Sequence, residues 1–387
     1  MRVALVASSF LPYEGGVERH VAAVAEKLVA RGHDVQVWTV ARNGKLQRYK
    51  NTGVEVTALP APLPNRSLKG VLRWIWQSPG AILHWIGVYR QFNPELLHVQ
   101  CLGPNGTYAW ILSALTRRPI ILSSHGETMA DQDDVFSTSM IAQMSLRLAI
   151  HRAAHVTGCS TVVLHDLEER FGLTRETGAV VPNGVELDGD KLACDAASEE
   201  VTVLAIGRLV RVKGFDLLIE AFSRAETAPN VRLVIGGDGP ERAALLDQAA
   251  NTSCASRISL PGRLSPNEVR KRMSKARMVV IPSRFEAFGI TALEAWREGV
   301  PVIATLRGGL PEFVSDAETG FLIDPEDTGA LARSIETLLQ DPGLANSMGR
   351  RGAQRVRDLT WDATTTSYEA IYRSAITRSA RQPQPRS

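Results

Sequence analysis

Cysteine is scarce in this chain, with four residues among 387. The four are widely separated and form no Cys-x-x-Cys pair, which argues against both a disulfide framework and a structural zinc site. Sparse, unpaired cysteine is typical of a reducing compartment, so we expect a cytoplasmic location. The residues are Cys101, Cys159, Cys194 and Cys254.

Long apolar runs are also missing. The sequence contains no stretch of about eighteen apolar residues, so it predicts no segment that crosses a membrane. The apolar stretch Val3–Ala7 is too short for the core of a signal peptide and is soon followed by Pro12 and Glu14. The net charge is only +3, which is too small to predict a nucleic-acid partner.

One segment is nevertheless locally basic. Residues 66–90 contain four Lys or Arg and no Asp or Glu, and they include Trp74, Trp76 and Trp85. Two hypotheses account for this segment. The rings pack against a sheet, which is the commoner fate of tryptophan, or the segment lies on a membrane surface.

The chain is long for a single hydrophobic core. At 387 residues, with 44% apolar and 22% charged residues, it predicts a globular protein of two domains. Short apolar runs alternate with helical patterns, which predicts parallel sheets covered by helices on both faces. The polar residues 183–200 separate two such series. We therefore expect a first domain at residues 1–185, a second at 186–361, a final helix at 362–380 and a disordered tail at 381–387.

Element boundaries give three local predictions. Gly53–Leu59 is predicted as the third strand. Residues 67–92, which carry the three tryptophans, are predicted to be broken at Pro79–Gly80. Phe136–Ala153 is predicted as one continuous helix.

Residues 282–298 are the most informative stretch. An apolar run, Met278–Ile281, precedes a loop, and a helical pattern begins near Gly289. Glu286 lies on the loop and Glu294 in the helix, with seven residues between them. Free N–H groups at the start of a helix favour an anion, whereas two carboxylates suit hydroxyl donors. A nucleotide sugar is a ligand that offers both.

Other notable residues follow predicted strands, where open α/β sheets bind ligands. Gly207 and Arg208 end one strand, and Lys213 comes five residues after Arg208. His125 follows a second strand. A further turn, Gly237-x-Gly239, has Arg242 where a dinucleotide fingerprint needs its third glycine, which disfavours an NAD dehydrogenase.

Taken together, these motifs resemble those of the retaining glycosyltransferases of family 4. The resemblance is strong over the second domain, and in the first it rests on the Gly15-Gly16 loop and His125. It implies the GT-B fold, an α/β architecture in which two Rossmann-like doubly wound domains face a central cleft. The first domain would bind the acceptor and the second the nucleotide sugar, and the last helix would cross back onto the first domain.

The resemblance also implies a role for each matching residue. Arg208 and Lys213 would neutralise the charge that grows on the departing diphosphate. His125 would contact the transferred sugar, Glu286 would accept hydrogen bonds from its hydroxyls, and Glu294 would bind the ribose. Further donor-binding residues implied by the resemblance are Gly15, Gly16, Gly207, Gly237, Arg263, Leu264, Phe288, Gly289 and Ile290.

Neither a metal nor a cofactor is expected, because cationic side chains and helix N-termini would supply the positive charge. The triplets Asp131–Asp133 and Asp188–Asp190 do not follow apolar strands, so they do not predict the metal site of the other glycosyltransferase fold. The nucleotide sugar is a substrate in this interpretation. Family frequency favours a UDP-sugar such as UDP-glucose or UDP-N-acetylglucosamine.

The acceptor is the least defined partner. An acidic run is typical of a solvated loop, but it also suggests a rim for a cationic acceptor, such as an aminocyclitol or amino sugar of an antibiotic pathway. A glycan acceptor is a further candidate. Alternatives are a membrane-surface transferase that uses GDP-mannose or a UDP-sugar with a lipid-linked acceptor, a nucleotide-sugar epimerase, and a non-catalytic binder. The acidic run consists of Glu127, Asp131, Asp133 and Asp134.

Overall fold

The structure is a computed structural model that describes residues 1–13, 15–63, 68–129, 135–187 and 200–381. The chain divides into two compact units. The first contains residues 1–183 and those from 361 onward, and the second contains residues 184–360. None of the helices in the described residues is long and apolar enough to cross a membrane. The predicted disordered tail lies outside the described residues from position 382.

The described part of the first unit contains one sheet of eight strands. They are β1 (Arg2–Ala7), β2 (Asp34–Val40), β3 (Gln47–Asn51), β4 (Val54–Leu59), β5 (Leu96–Gln100), β6 (Ile120–Ser124), β7 (His155–Gly158) and β8 (Gly178–Val180). Their order is β3-β4-β2-β1-β5-β6-β7-β8. Neighbours run parallel except at the edge, where β3 pairs antiparallel with β4.

The second unit is built on a parallel sheet with six strands in the described residues. They are β9 (Val201–Ile206), β10 (Val231–Gly236), β11 (Ile258–Gly262), β12 (Met278–Ile281), β13 (Val302–Thr305) and β14 (Gly320–Ile323). Their order is β11-β10-β9-β12-β13-β14. All four residues of β12 and of β13 are buried, as expected for strands covered on both faces.

Helices cover both sheets. Those that follow the strands of the first unit are α1 (Gly16–Ala30), α2 (Leu68–Phe92), α3 (Pro104–Thr116), α4 (Val135–Thr138), α5 (Met140–Arg152) and α6 (Thr161–Phe171). Those of the second are α7 (Phe215–Arg224), α8 (Arg242–Ala250), α9 (Pro266–Lys275), α10 (Ile290–Arg297), α11 (Thr328–Gln340) and α12 (Pro342–Arg355). The last helix, α13 (Trp361–Arg381), belongs to the first unit.

Alternate residues of β1 point to opposite faces of the first sheet, and each face has its own core. Ala4 and Val6 contact the core that contains residues of α2, α3, α5 and α6. Val3 and Leu5 contact the core that contains residues of α1 and α13. The C-terminal helix therefore completes one whole layer of the first unit.

The predicted break at Pro79–Gly80 is wrong, because α2 continues through it. An interior proline removes a backbone N–H and crowds the carbonyl four residues earlier, at a cost of about 3 kcal/mol. Packing offsets that cost in the following half of the helix, where Trp85 is 1% exposed and its indole N–H donates to the Pro60 carbonyl at 2.9 Å. The packing hypothesis thus holds for Trp85, whereas Trp76 is exposed.

The predicted helix Phe136–Ala153 is interrupted at Ser139 and becomes α4 and α5. Ser139 adopts an extended conformation, and its hydroxyl accepts a hydrogen bond from the backbone N–H of Ala142 at 3.3 Å. Serine is a strong N-cap residue, so it starts a second helix instead of continuing the first.

Candidate active site

The loops after four neighbouring strands of the second sheet meet at its carboxyl edge. The N–H of Gly237, after β10, donates to the carbonyl of Gly262, at the end of β11, at 2.9 Å. The N–H of Arg284, after β12, donates to the carbonyl of Val212, in the loop after β9, at 2.7 Å. Gly237 has φ of +146°, and a Cβ there would overlap the Gly207 carbonyl. These contacts place the predicted donor loops side by side.

Lys213 and Glu286 form an ion pair at this edge, with 2.6 Å between Nζ and Oε2. The Ser283 hydroxyl donates to the same carboxylate oxygen at 3.1 Å. The Lys213 side chain is 29% exposed and the Glu286 side chain 14% exposed. Both charges therefore remain accessible to a ligand while each is held in place by the other.

The backbone of Glu286 is fixed by a glycine turn after β13. The Glu286 N–H donates to the carbonyl of Arg307 at 3.1 Å, and the N–H of Gly309 donates to the Glu286 carbonyl at 2.8 Å. Gly308 has φ of +118°, and a Cβ there would overlap the same carbonyl. A side chain at position 308 would displace Glu286, so this turn positions a predicted site residue.

A second ion pair, between Arg284 and Asp216, joins the two loops that carry Lys213 and Glu286. The guanidinium contacts both Asp216 carboxylate oxygens, at 2.8 and 2.7 Å, and also donates to the carbonyl of Arg211 at 2.8 Å. Burial opposes ionisation of Asp216, but the hydrogen bonds from Arg284 lower its pKa below the ordinary value. No motif in the sequence predicts this pair, because its partners lie 68 residues apart.

Helix α10 begins at this edge with Gly289 as its N-cap, at φ of +95°. Its first N–H groups, starting at Ile290, have no intrahelical partner and carry the positive end of the helix dipole. The Phe288 ring is buried against Phe313, with 4.9 Å between centroids. Glu294 lies one turn into α10 and is half-buried.

The remaining predicted donor residues of the second unit differ in exposure. Arg208 is exposed, and within the described residues its guanidinium contacts no carboxylate. Arg263 is also exposed. Leu264 is half-buried and packs against Gly236. A Cβ at position 236 would stand 2.5 Å from the Cδ1 of Leu264. Arg208 is therefore a cation on the same loop as Lys213, directed to solvent.

In the first unit, Gly15 caps α1 and Gly16 is its first residue. Glu18, in the first turn of the helix, accepts a hydrogen bond from the Ser9 hydroxyl. A Cβ at Gly16 would meet no atom within 4 Å, so packing alone does not explain glycine at this position. Glu14 lies outside the described residues.

His125 lies just after β6 and is half-buried. Its Nε2 is 2.8 Å from the side-chain oxygen of Gln100, and its ring stands edge-on to His20 with 4.5 Å between centroids. Burial, together with the nearby rings of His20 and His98, lowers the pKa of His125 well below its ordinary value. The imidazole is consequently neutral at physiological pH and suits hydrogen bonding more than charge neutralisation.

Two fully buried histidines extend this network behind His125. His98 Nδ1 is 2.7 Å from the Tyr372 hydroxyl, and His20 Nδ1 is 2.7 Å from the Asn183 side-chain oxygen. Burial lowers the pKa of His20 to about 4 and that of His98 to about 3. Burial also raises the pKa of Tyr368, which is 3.2 Å from His20 Nε2, to about 12. The whole cluster is uncharged.

Glu127 holds the turn that carries His125. Its carboxylate accepts hydrogen bonds from the Ser124 hydroxyl at 2.9 Å and from the His125 N–H at 2.8 Å. The N–H of Leu102 donates to the other oxygen at 3.3 Å. The predicted role of Glu127 in acceptor binding stays a prediction. Asp131, Asp133 and Asp134, and the triplet Asp188–Asp190, lie outside the described residues.

Two family models match consecutive parts of the chain. Residues 14–188 match Glycosyltransferase Family 4, and residues 194–355 match Glycosyl transferases group 1. The chain belongs to the group 1 glycosyltransferases. This glycosyltransferase is 27% identical to glycogen synthase from Mycobacterium tuberculosis over 412 residues, covering 100% of this chain and 97% of that protein. It is 26% identical to D-inositol 3-phosphate glycosyltransferase from Corynebacterium glutamicum, covering 97% of each.

Solved structures show the same architecture. Sucrose-phosphate synthase from Thermosynechococcus elongatus matches with a TM-score of 0.80 and 23% identity, over 97% of this glycosyltransferase and 99% of that chain. HepE from Anabaena, in complex with UDP and glucose, matches with a TM-score of 0.80 and 18% identity, over 97% and 100%. The two parallel-sheet α/β units are those of the GT-B fold.

Proposed function

We propose that this glycosyltransferase moves a sugar from a nucleotide-sugar donor to an acceptor hydroxyl with retention of anomeric configuration. The observation that carries the proposal is the 2.6 Å contact between Lys213 Nζ and Glu286 Oε2 at the carboxyl edge of the second sheet. A cation and a carboxylate held together there equip one site to neutralise a phosphate and to accept hydrogen bonds from sugar hydroxyls.

The leaving group is the chemical reason for the cations. Negative charge grows on the diphosphate as the bond to the sugar breaks, and fixed positive groups stabilise that charge. Lys213, the exposed Arg208 and the N-terminus of α10 supply it. When the diphosphate takes Lys213 as its partner, the Glu286 carboxylate becomes available to a sugar hydroxyl. We propose that this charge stabilisation operates without a metal or cofactor.

The donor is proposed to be a UDP-sugar, with Glu294 bonded to the ribose hydroxyls. Two observations support this choice. Glu294 lies on the helix whose N-terminus borders the Lys213–Glu286 pair. HepE, which shares the fold, has been solved with UDP and with UDP-glucose. UDP-glucose is therefore the first donor to test, with UDP-N-acetylglucosamine and GDP-mannose beside it.

Retention is proposed to occur by front-face attack, in which the departing phosphate accepts the proton of the acceptor hydroxyl. The neutral imidazole of His125, bonded to Gln100 at 2.8 Å, supports a role in binding a sugar hydroxyl. Glu127 accepts two backbone N–H bonds and one hydroxyl bond, which fits a structural anchor better than a nucleophile.

For the acceptor we propose a polyhydroxylated cyclitol or glycan. The relatives at 26–27% identity include a D-inositol 3-phosphate glycosyltransferase and a glycogen synthase, which define two acceptor types for a panel. Amino sugars and aminocyclitols of antibiotic pathways are the third acceptor type in the panel, because the acidic run after His125 suggested a cationic acceptor.

The test is a screen of three donors against these acceptors, read by mass spectrometry. We expect nucleotide diphosphate and a glycosylated product, with the donor's anomeric configuration preserved in proton NMR coupling constants and with no loss of rate in EDTA. A product of inverted configuration would exclude the retaining mechanism. An altered nucleotide sugar formed without acceptor would instead identify an epimerase, and donor binding without any product would indicate a binder.

A further inference from the structure

Helix α2 of the first unit is apolar on two opposite sides. Four residues on the inner side are buried in the core, and four on the outer side are exposed. At about 100° per residue the two sets are centred about 180° apart around the helix axis. The inner set is Ala81, Trp85, Val88 and Phe92, and the outer set is Leu72, Ile75, Trp76 and Leu83.

The degree of exposure is unusual for side chains of this size. Trp76 is 84% exposed, Leu83 68% and Leu72 67%. An amphipathic surface helix normally places charged and polar residues on its outer side. The outer stripe of α2 is therefore unexplained by the packing of its own unit.

Helix α5 repeats the arrangement. Its inner residues Leu146 and Ile150 are buried in the same core as those of α2. Its outer side carries Met140, which is 83% exposed, and Ile141, which is 68% exposed. Met144 and Leu148 continue this outer stripe.

Helix α3 lies between these two helices and packs against both. Its outer side is also apolar, with Leu115 64% exposed and with Trp110 and Ile111 half-buried. The outer sides of α2, α3 and α5 thus form one apolar surface, which we call the outer helical face. Contiguous apolar surface of this kind commonly marks a site of interaction with a protein or a membrane.

The charges on the outer helical face all have one sign. The sequences of α2, α3 and α5 contain no Asp or Glu. The helices on the opposite side of the sheet differ, since α1 carries Glu18 and Glu26 and α13 carries Asp362 and Glu369. Exposed basic residues of the outer helical face are Lys69, Arg73, Arg90, Arg147 and Arg152.

We propose that the outer helical face binds the surface of a membrane that contains anionic phospholipid. Helices that lie on membranes combine bulky apolar side chains, including tryptophan, with Lys and Arg that meet anionic head groups. The outer helical face has both features and lacks the acidic residues that would be repelled. This binding is independent of the donor chemistry proposed above.

Vesicle flotation tests the apolar part of the proposal. The purified full chain is mixed with vesicles of equal parts phosphatidylglycerol and phosphatidylcholine, and the bound fraction is measured. The double variant Trp76→Ser/Met140→Ser should lose at least about tenfold in partition coefficient, because each substitution removes a large apolar group from the interface. The matched control is Val29→Ser on α1, where Val29 is 41% exposed and the partition coefficient should not change.

The charge part is tested with the double variant Lys69→Gln/Arg73→Gln. We expect weaker binding to anionic vesicles, little binding to pure phosphatidylcholine, and loss of wild-type binding as salt is raised. Arg175→Gln is the control, because the Arg175 side chain is 92% exposed and lies on the loop between α6 and β8, outside the outer helical face. Far-ultraviolet circular dichroism and donor turnover in the absence of vesicles verify that every variant is folded.

Three results would overturn the proposal. The first is wild-type protein that stays unbound to anionic vesicles at low salt. The second is a Trp76→Ser/Met140→Ser variant that binds them as well as the wild type. The third is a wild type that does not bind vesicles but self-associates in sedimentation velocity, with the self-association abolished in the same variant. That result would assign the face to a second copy of the chain.

Discussion

The two units differ most at the carboxyl edges of their sheets. The edge of the second sheet carries ionised groups, the Lys213–Glu286 and Arg284–Asp216 pairs, beside an exposed Arg208. The edge of the first sheet presents His125, whose lowered pKa keeps it neutral. The difference suits two tasks under the proposed function. Charge stabilisation would be concentrated in the second unit, whereas the first would contribute a neutral imidazole, held by the hydrogen-bonded Glu127 carboxylate.

Removal of the lysine charge should have the largest effect. In Lys213→Ala we expect the turnover number to fall by about 10²–10³-fold, because a preorganised cation no longer stabilises the leaving diphosphate. Steady-state kinetics at saturating donor measure the change. Lys271→Ala, an exposed lysine on α9, should retain full turnover. Equal turnover in the two variants would show that Lys213 takes no part in the catalytic step.

Glu294→Ala should affect donor binding more than turnover. Loss of charged hydrogen bonds to the ribose should weaken UDP binding by about 10–100-fold, since such bonds are worth about 1.5–3 kcal/mol. Calorimetric titration with UDP measures the dissociation constant. The Glu294→Gln variant keeps the side-chain shape and one acceptor oxygen. Its dissociation constant for UDP should lie between those of Glu294→Ala and the wild type. If UDP binds the alanine variant with the wild-type dissociation constant, the proposed contact between Glu294 and the ribose hydroxyls is wrong.

Arg284 positions the loops of Lys213 and Glu286 without being expected to touch the donor. In Arg284→Lys the bidentate contact with Asp216 is lost, and we expect turnover to fall about tenfold through misplacement of the site. A double-mutant cycle with Asp216→Asn checks the explanation. The double variant should be no worse than either single variant, because the two residues act as one unit. Strictly additive losses would contradict that coupling.

The neutral cluster of the first unit should make stability depend on pH. His20 and His98 titrate near 4 and 3 when folded, against 6.5 when unfolded, so between these values the unfolded chain binds more protons. The free energy of unfolding should therefore decrease as the pH is lowered below 6.5. The expected decrease between pH 6.5 and 5.5 is roughly 1 kcal/mol for each buried imidazole. Denaturant unfolding at both pH values measures it.

His98→Gln should reduce the slope of the unfolding free energy against pH by the equivalent of about one bound proton. His165→Gln is the matched control, since the side chain of His165 is 63% exposed, and its slope should equal that of the wild type. A wild-type slope near zero over this interval would mean that the first unit is not built on neutral imidazoles, and the contrast between the two edges would lose its basis.

Buried parallel strands were the part of the fold that the sequence predicted best. The apolar run Met278–Ile281 has the bounds of β12, and the predicted strand Gly53–Leu59 differs from β4 by one residue, because strands covered on both faces are short apolar runs. The edge strand Gln47–Asn51 was not predicted, since it is polar and mostly exposed and depends on its pairing with β4. Helix Pro266–Lys275 was also missed, because only Val269 and Met273 are buried in an otherwise charged segment.

The candidate site was predictable only where its residues lie close in sequence. Glu286, Gly289 and Glu294 belong to one strand–loop–helix corner, so their spacing carries the information. The contact of Lys213 with Glu286 spans 73 residues and follows from the order of the strands, which periodicity does not give. The pairing of Arg284 with Asp216 has the same origin and had no sequence signal of its own.

The position of α13 in the chain has a consequence for synthesis on the ribosome. Tyr368 and Tyr372, the hydroxyl partners of two buried imidazoles, are translated after every residue of the second unit. The first unit, most of which is made first, therefore cannot complete its interior until α13 has been translated. A nascent chain stalled at residue 360 would leave His20 and His98 without those partners, and it would offer chaperones an open apolar surface.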